Sequence, residues 1–329
     1  MTVVLHTEDV ACSICGTRDA EIVGTGTDRE YQTSEDTYTV VACKTCGHRY
    51  LSPRPTQDEL ARIYPSNYHA YNIRPAGVRL QDLPLVTRLR HWIYRQRFKR
   101  VLRPFKEKDH IDLLDVGCGD GWMLDLYRAC DPDRIRTFGV DFEPKVCEVA
   151  ASFGHKVYCT RFEEYDKSQR FDIVNLSHVI EHVSDPVGVV KKAFEVLRPG
   201  GLLVLETPNS DTVEALWFQR GAWGAYHIPR HWNFYNSKTI RRLGELAGFS
   251  CREIVYNPAP VHWVWTFNNL ARTQTNVIGR IGQRIFAPLD VFSGGPKAFL
   301  FLSLGTALDL IVKLVTRRTS NMMAIFTKV

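Results

Sequence analysis

Nothing at the amino terminus of this chain reads as a secretory leader. The opening stretch, MTVVLHTEDVACSICG, has no basic segment followed by an apolar core, so no export signal is expected and a cytoplasmic enzyme is the working expectation. Excess charge is scarce as well. The formal net charge is +6 over 329 residues, too modest to argue by itself for a nucleic-acid partner. The chain has no internal repeat and no low-complexity tract, which sets aside solenoids and disordered tails. What is present is ordinary globular material, 44% hydrophobic and 24% charged, long enough for one large α/β domain plus a small module.

The chain divides into three parts. Residues 1–52 form a unit marked by Cys12-Ser13-Ile14-Cys15-Gly16 and Cys43-Lys44-Thr45-Cys46-Gly47, with strand-like TYTVVAC between. Residues 53–104 form a connector punctuated by Pro53, Pro55, Pro65, Pro75 and Pro84, with a helix expected from about Leu85. Its apolar positions Leu85, Leu89, Trp92 and Ile93 fall at helical spacing, opposite a basic set of Arg79, Arg88, Arg90, Arg95, Arg97, Lys99, Arg100 and Arg103 with one acid, Asp82. That set fits phosphates, an anionic membrane surface, an acidic partner or a solvated face. Residues 105–329 are the third part.

From Ile111 strand and helix patterns alternate: IDLLDV, a helix from Trp122 to Arg128, IRTFGVD, a helix after Pro144, HKVYC, FDIVNLS, a helix from Pro186 to Leu197, then LLVLET. Repeated βα units predict a parallel sheet with helices on both faces, a Rossmann-like doubly wound fold. A helix capped by Ser237 and ended by Gly248 follows, then the strand CREIVYN and a final strand MMAIFTKV. Between these last two lies an insertion at about 257–321, holding the 18-residue apolar stretch Ala298–Val315. A bilayer span needs about 20 residues, and Ser303, Thr306, Asp309 and Lys313 draw a polar stripe along this one. It is predicted to be an amphipathic helix, packed on the domain or lying at a membrane interface.

The first strand runs into LLDVGCGDGWM. A dinucleotide turn, G-x-G-x-x-G, would need its third glycine at Trp122, and a P-loop would need a following lysine. Here Asp115 precedes Gly117, Gly119 and Gly121, which disfavours a pyrophosphate and favours a cationic ligand. Asp-x-Gly-x-Gly-x-Gly resembles the first motif of the class I S-adenosylmethionine-dependent methyltransferases. GVDFEP, with Asp141 at the end of the second strand, NLSHVIEHVSDP, LRPGGLLVLETPN and HWNFYNSKTIRRLGELAGF resemble that family in the same order, over about residues 105–256 plus the last strand. The resemblance implies a seven-stranded sheet whose last strand is antiparallel. It also implies S-adenosylmethionine as cofactor: Asp115, Gly117, Cys118, Gly119 and Gly121 around its methionine part, Asp141 and Phe142 at the ribose, Phe162 and Glu163 at the adenine, and Ser177 at the pocket edge.

Cys12, Cys15, Cys43 and Cys46 form two C-x₂-C knuckles with a 27-residue spacer, which predicts one structural, four-thiolate zinc in a ribbon with a hairpin between the pairs. Such a leader is similar to that of some sugar and natural-product methyltransferases. Residues 178–182, HVIEH, match an inverted zinc-peptidase signature, but they begin at a strand end, where a peptidase needs a helix. The ubiquinone-pathway O-methyltransferases carry a similar segment that holds a divalent ion, so Glu181 and His182 are candidates for a second ion. His182 and His231 are the candidate bases for an acceptor hydroxyl, with His227 beside them in GAYHIPRHWNFYN. The expected activity is methyl transfer to an oxygen or nitrogen of a small-molecule, glycan or lipid-linked acceptor. The alternatives are a nucleic-acid methyltransferase that uses the ribbon and the basic helix, or a non-catalytic cofactor-binding protein. Peripheral membrane contact through 298–315, at the inner face of the membrane, accompanies the reading.

Overall fold

The computed structural model describes residues 4–65, 68, 85–166, 168–274, 276–286 and 296–329, with the backbone alone for 85–91 and 296. Arg79, Asp82, Pro75 and Pro84 of the connector lie outside the described residues, as do the side chains of Leu85, Arg88, Leu89 and Arg90.

The short β1 (Thr7–Glu8) precedes a hairpin of β2 (Ala20–Gly26) and β3 (Tyr38–Cys43), then β4 (Arg49–Leu51) and β5 (Arg54–Pro55). Helices α1 (Leu60–Ile63) and α2 (Leu85–Leu102) lead to the main sheet. Its elements in chain order are β6 (Ile111–Val116), α3 (Trp122–Arg128), β7 (Ile135–Asp141), α4 (Pro144–Ser152), β8 (Lys156–Cys159), β9 (Phe171–Ser177), α5 (Pro186–Val196) and β10 (Leu197–Pro208). After α6 (Val213–Trp217) and β11 (Asn233–Phe234) come α7 (Ser237–Leu246), β12 (Phe249–Asn257), the insertion helices α8 (Pro260–Arg272), α9 (Val277–Ile285) and α10 (Pro296–Thr316), and β13 (Asn321–Lys328).

Seven strands lie in the order β12-β13-β10-β9-β6-β7-β8. β10, β9, β6, β7 and β8 are mutually parallel, and β13 enters antiparallel between β10 and β12. This is the expected class I arrangement. The central strand IDLLDV is buried throughout, as a parallel strand covered on both faces must be. Two apolar layers flank the sheet, one with Leu114, Val174, Leu203 and Phe326, the other with Leu113, Ile173, Val204 and Ile325. In the parallel register Asp115 pairs with Gly139 and with Asn175, and Ser177 with Glu206, so the carboxyl ends of four strands meet at one edge.

Two local expectations are corrected. In α2, Trp92 and Ile93 are exposed (58% and 42%) while Phe98 and Val101 are buried. The helix docks by its C-terminal half, where Phe98 stacks on Tyr127 of α3 at 3.8 Å between ring centres. Helix α7 is capped by Asn236, not Ser237: its Oδ1 accepts from the amides of Lys238 and Thr239, and Thr239 Oγ1 accepts from the Asn236 amide.

The N-terminal unit does not build a separate core. Its sheet runs β11-β4-β3-β2, so its fourth strand comes from the loop beyond β10. Tyr38, Val40 and Leu51 share one apolar cluster with Trp223, Tyr226 and Trp232 of that loop. The junction also holds a charge. Arg230, 0% exposed, donates Nη1 to Asp28 Oδ1 at 3.1 Å, Nη2 to Asp28 Oδ2 at 2.8 Å and Nε to the Ile63 carbonyl at 2.6 Å. Burial pushes the Asp28 carboxyl up, but the Arg230 hydrogen bonds and charge outweigh it and hold it at about 2, against an ordinary 3.8.

The insertion packs with its polar side inward. Asp309 is buried and accepts from the Ala259 amide at 2.7 Å, Trp263 Nε1 at 3.2 Å and Ser320 Oγ at 2.6 Å. A Cβ on Gly305 would lie 2.7 Å from the Pro260 carbonyl oxygen, so only glycine lets α10 approach α8 there. Of the stripe read from the sequence, Asp309 is buried and Thr306 half-buried, while Ser303 and Lys313 are exposed.

Asp28→Ala leaves the Arg230 charge buried without its partner and is expected to destabilise the fold by about 3–5 kcal/mol in urea unfolding at neutral pH. Because the native carboxyl titrates below its unfolded value, its contribution is present above about pH 3.8 and is lost as pH falls through about 2. The variant's stability curve should lack that acid limb.

Candidate active site

The glycine turn stands where β6 ends. Gly117, Gly119 and Gly121 all have positive φ, at 68°, 51° and 80°, which an ordinary side chain resists. A Cβ on Gly117 would also stand 2.7 Å from Val179 Cγ2, so the glycine turn touches the segment after β9. The Gly119 amide donates to Asp141 Oδ2 at 2.9 Å and the Glu143 amide to Asp141 Oδ1 at 3.0 Å. The second-strand acid is thus fixed by the glycine turn itself. Asp115, just below the turn, is buried and accepts from Asn175 Nδ2 at 2.6 Å, and burial pushes its carboxyl up to about 7. Cys118 is buried, its built neighbour Gly139 leaving room for the sulfur. Phe142 is exposed beside Asp141, Phe162 is buried in the core and Glu163 is exposed. Ser177 Oγ lies 3.5 Å from Glu206 Oε2, and Glu206 Oε1 accepts from Arg97 Nη1 at 3.1 Å and Asn321 Nδ2 at 2.8 Å. This network at the strand ends was not legible as a site from sequence, although Glu206 closes the fifth-strand motif LLVLET.

Beyond β9, HVIEH forms a turn, not a helix, with His178 at φ 54°, which is inconsistent with the peptidase geometry. The amides of Trp232 and Asn233 donate to the Glu181 carbonyl at 2.8 and 3.1 Å, and this brings the histidine loop over the segment. The rings of His182 and His231 lie 4.5 Å apart, and those of His227 and His231 4.9 Å apart. His182 Nδ1 is 3.1 Å from the Arg230 carbonyl and His231 Nδ1 2.8 Å from that of Ala225. A carbonyl only accepts, so His231 Nδ1 carries the proton and its Nε2 keeps a lone pair, whereas His182 Nδ1 faces both the Arg230 carbonyl and the Tyr64 hydroxyl. Burial pushes the His182 pKa down to about 4 and that of His231 well below the usual value, so both are neutral near pH 7.

Glu181 is 1% exposed. Its Oε1 is 3.1 Å from His178 Nδ1, and its Oε2 has no hydrogen-bond partner among the described residues. Glu181, His182 and His231 offer three ligand-capable atoms within 4.8 Å of one another. Sequence reasoning missed the lid on this cluster. Tyr64 OH is 2.9 Å from His182 Nδ1, Tyr68 OH is 3.4 Å from His227 Nε2, and Glu30 pairs with His227 Nδ1. These contacts span more than a hundred residues, and no local pattern announces them.

The four knuckle cysteines also converge, with sulfurs within 4.8 Å of one another. Cys12 and Cys46 are 3.5 Å apart and Cys15 and Cys43 3.4 Å apart; sulfurs about 2.3 Å from one tetrahedral ion would be roughly 3.8 Å apart. The knuckles are alike: the Gly16 amide donates to the Cys12 carbonyl and the Gly47 amide to the Cys43 carbonyl, both at 2.8 Å. Ser13 Oγ of the first knuckle donates to Asn233 Oδ1 at 3.1 Å, two residues past His231.

Residues 89–254, half of the chain, match the family described as methyltransferase domain, and the chain belongs to that family. It is an S-adenosylmethionine-dependent methyltransferase. The ubiquinone biosynthesis O-methyltransferase of Bradyrhizobium diazoefficiens is 32% identical over 190 residues, covering 51% of this chain and 71% of the relative. That of Bradyrhizobium sp. (strain ORS 278) is 28% identical with the same coverage. Among solved structures, a SAM dependent methyltransferase from Archaeoglobus fulgidus aligns over 72% of this chain and 94% of its own at 17% identity, with a TM-score of 0.45.

If Asp141 grips the ribose, Asp141→Ala loses two charge-assisted hydrogen bonds and the anchor of Gly119. Calorimetry with S-adenosylhomocysteine should then show affinity lowered by about a hundredfold. An affinity within threefold of the parent would remove Asp141 from the cofactor site.

Proposed function

We propose that the enzyme methylates a hydroxyl oxygen of a small-molecule, glycan or lipid-linked acceptor, received at Glu181, His182 and His231. The observation that carries this reading is the pair of neutral imidazoles, each with Nδ1 near a backbone carbonyl, beside a Glu181 carboxylate oxygen that has no hydrogen-bond partner among the described residues, in the turn after β9. The cofactor, when bound, would supply the methyl group and leave as S-adenosylhomocysteine, while the proton of the acceptor hydroxyl would pass to an imidazole nitrogen of His182 or His231. Asp115 and the turn through Gly117, Cys118, Gly119 and Gly121 cradle the methionine part. Asp141 and Phe142 hold the ribose, Phe162 and Glu163 flank the adenine, and Ser177 stands at the edge. The names of the relatives, O-methyltransferases, favour oxygen over nitrogen.

A nucleic-acid acceptor fits less well, because Arg97 and Arg100 of the basic helix are engaged by Glu206 and Glu253 of the same chain. The cysteine cluster suits a structural zinc, and nine unpaired cysteines suit a reducing compartment such as the cytoplasm. A second reading shares the acceptor cluster. Two imidazoles and a carboxylate oxygen without a partner among the described residues, their ligand atoms within 4.8 Å of one another, are also what a divalent ion requires. Such an ion would be held by Glu181, His182 and His231 and would supply an acidified acceptor hydroxyl.

Methyl-labelled S-adenosylmethionine given to the enzyme with fractionated cell extract should label the small-molecule, glycan or lipid fraction. Label confined to nucleic acid, or cofactor binding without transfer to any fraction, overturns the reading. With the acceptor in hand, His182→Ala or His231→Ala should lower kcat by about 10²–10⁴ with cofactor affinity within about twofold. Loss of turnover on chelation, restored by one divalent cation, selects the ion, and indifference to chelators selects the imidazole. Elemental analysis is expected to find one zinc per chain, lost in the Cys12→Ser, Cys46→Ser variant.

A further inference from the structure

Helix α10 leaves much of its apolar surface uncovered. Its inward line is Ala298, Gly305 and Asp309, flanked by half-buried Phe301, Leu302, Thr306, Leu308 and Val312. Its outward line is Phe299, Leu300, Leu304, Leu310, Ile311, Leu314 and Val315, the last two 85% and 81% exposed. The stretch Lys297–Thr316 has a mean hydropathy of 2.0, yet only 17% of it is buried. Helix α9 continues the face with Val277, Ile278, Ile281 and Ile285, all exposed. The two helices are joined where Lys297 Nζ donates to the Arg284 carbonyl at 2.8 Å and Phe286 meets Phe301 at 5.3 Å between ring centres. So large a contiguous apolar surface marks an interaction site.

The charge around it names the partner. Among the described residues of 276–317, the exposed charged side chains on α9, α10 and just past it are Arg280, Arg284, Lys297, Lys313 and Arg317. The one acid among the described residues of this stretch, Asp309, is buried under three donors. A second copy on this face would bring like charges together, whereas an anionic headgroup layer would neutralise them. A bilayer crossing would carry Asp309, with its bonds to Ala259, Trp263 and Ser320, into hydrocarbon. Lying flat, the helices sink their apolar faces and leave Asp309 on the protein side.

We propose that α9 and α10 dock the enzyme on an anionic lipid surface, lying in the plane of the interface. This goes beyond the methyl-transfer reading and does not depend on the identity of the acceptor. In flotation, the full chain should rise with phosphatidylcholine vesicles containing phosphatidylglycerol, about tenfold less with phosphatidylcholine alone, and less at high salt. Leu304→Asp with Leu314→Asp, and separately Arg280→Glu with Arg284→Glu, should each lower vesicle affinity at least about tenfold while S-adenosylhomocysteine binding and the circular dichroism spectrum stay unchanged. Absence of flotation by the parent, flotation indifferent to phosphatidylglycerol or to both variants, a dimer in light scattering abolished by the leucine variant, or resistance to alkaline extraction as a spanning helix would each overturn the proposal.

Discussion

A guanidinium shut away from water joins the two ends of this enzyme. Leaving Arg230 buried and alone would cost several kcal/mol, so its partners must be present for the chain to fold. They are Asp28, the Ile63 carbonyl and the face of Tyr31 at 4.5 Å, all N-terminal to the sheet. Satisfying one side chain therefore closes the N-terminal unit over the loop that follows β10. The same residue offers its own carbonyl to His182 Nδ1.

The glycine crest and the histidine cluster are held by different physics. The crest is local: a strand, a turn of positive-φ glycines, and an acid on the next strand tied to the turn through the Gly119 amide. The histidine cluster is assembled from distant pieces. Glu181 and His182 come from the turn after β9, His227 and His231 from the loop before β11, Tyr64 and Tyr68 from the connector and Glu30 from the N-terminal sheet. β11 pairs with β4, and Ser13 reaches Asn233 from inside a cysteine knuckle. The knuckles are thus mechanically continuous with the histidine loop.

That division explains what could be read in advance. The alternation of strands and helices and the glycine crest follow from periodicity and short motifs, because each rests on neighbours in sequence, whereas the antiparallel setting of β13 was implied by the family resemblance alone. Ser237 beside Asn236 shows the limit of even local reading: two good caps stood side by side, and packing chose the one whose oxygen reached two amides. In α2, Trp92 and Ile93 suggested a buried face, yet both are exposed while Phe98 and Val101 are buried. Asp28, Glu30, Tyr64 and Tyr68 were silent for a different reason. Each is an unremarkable residue in its own segment and gains its role only from a contact across the fold. The two-residue β11 is too short to carry any period.

The way α10 is fastened splits its tolerance to change lengthwise. One edge is confined by Gly305 against Pro260 and by Asp309 with its three donors, and substitution there disturbs the stack beneath. The other edge bears almost no part of the fold's own packing, so its composition can drift under whatever the outside surface selects while the catalytic architecture stays still.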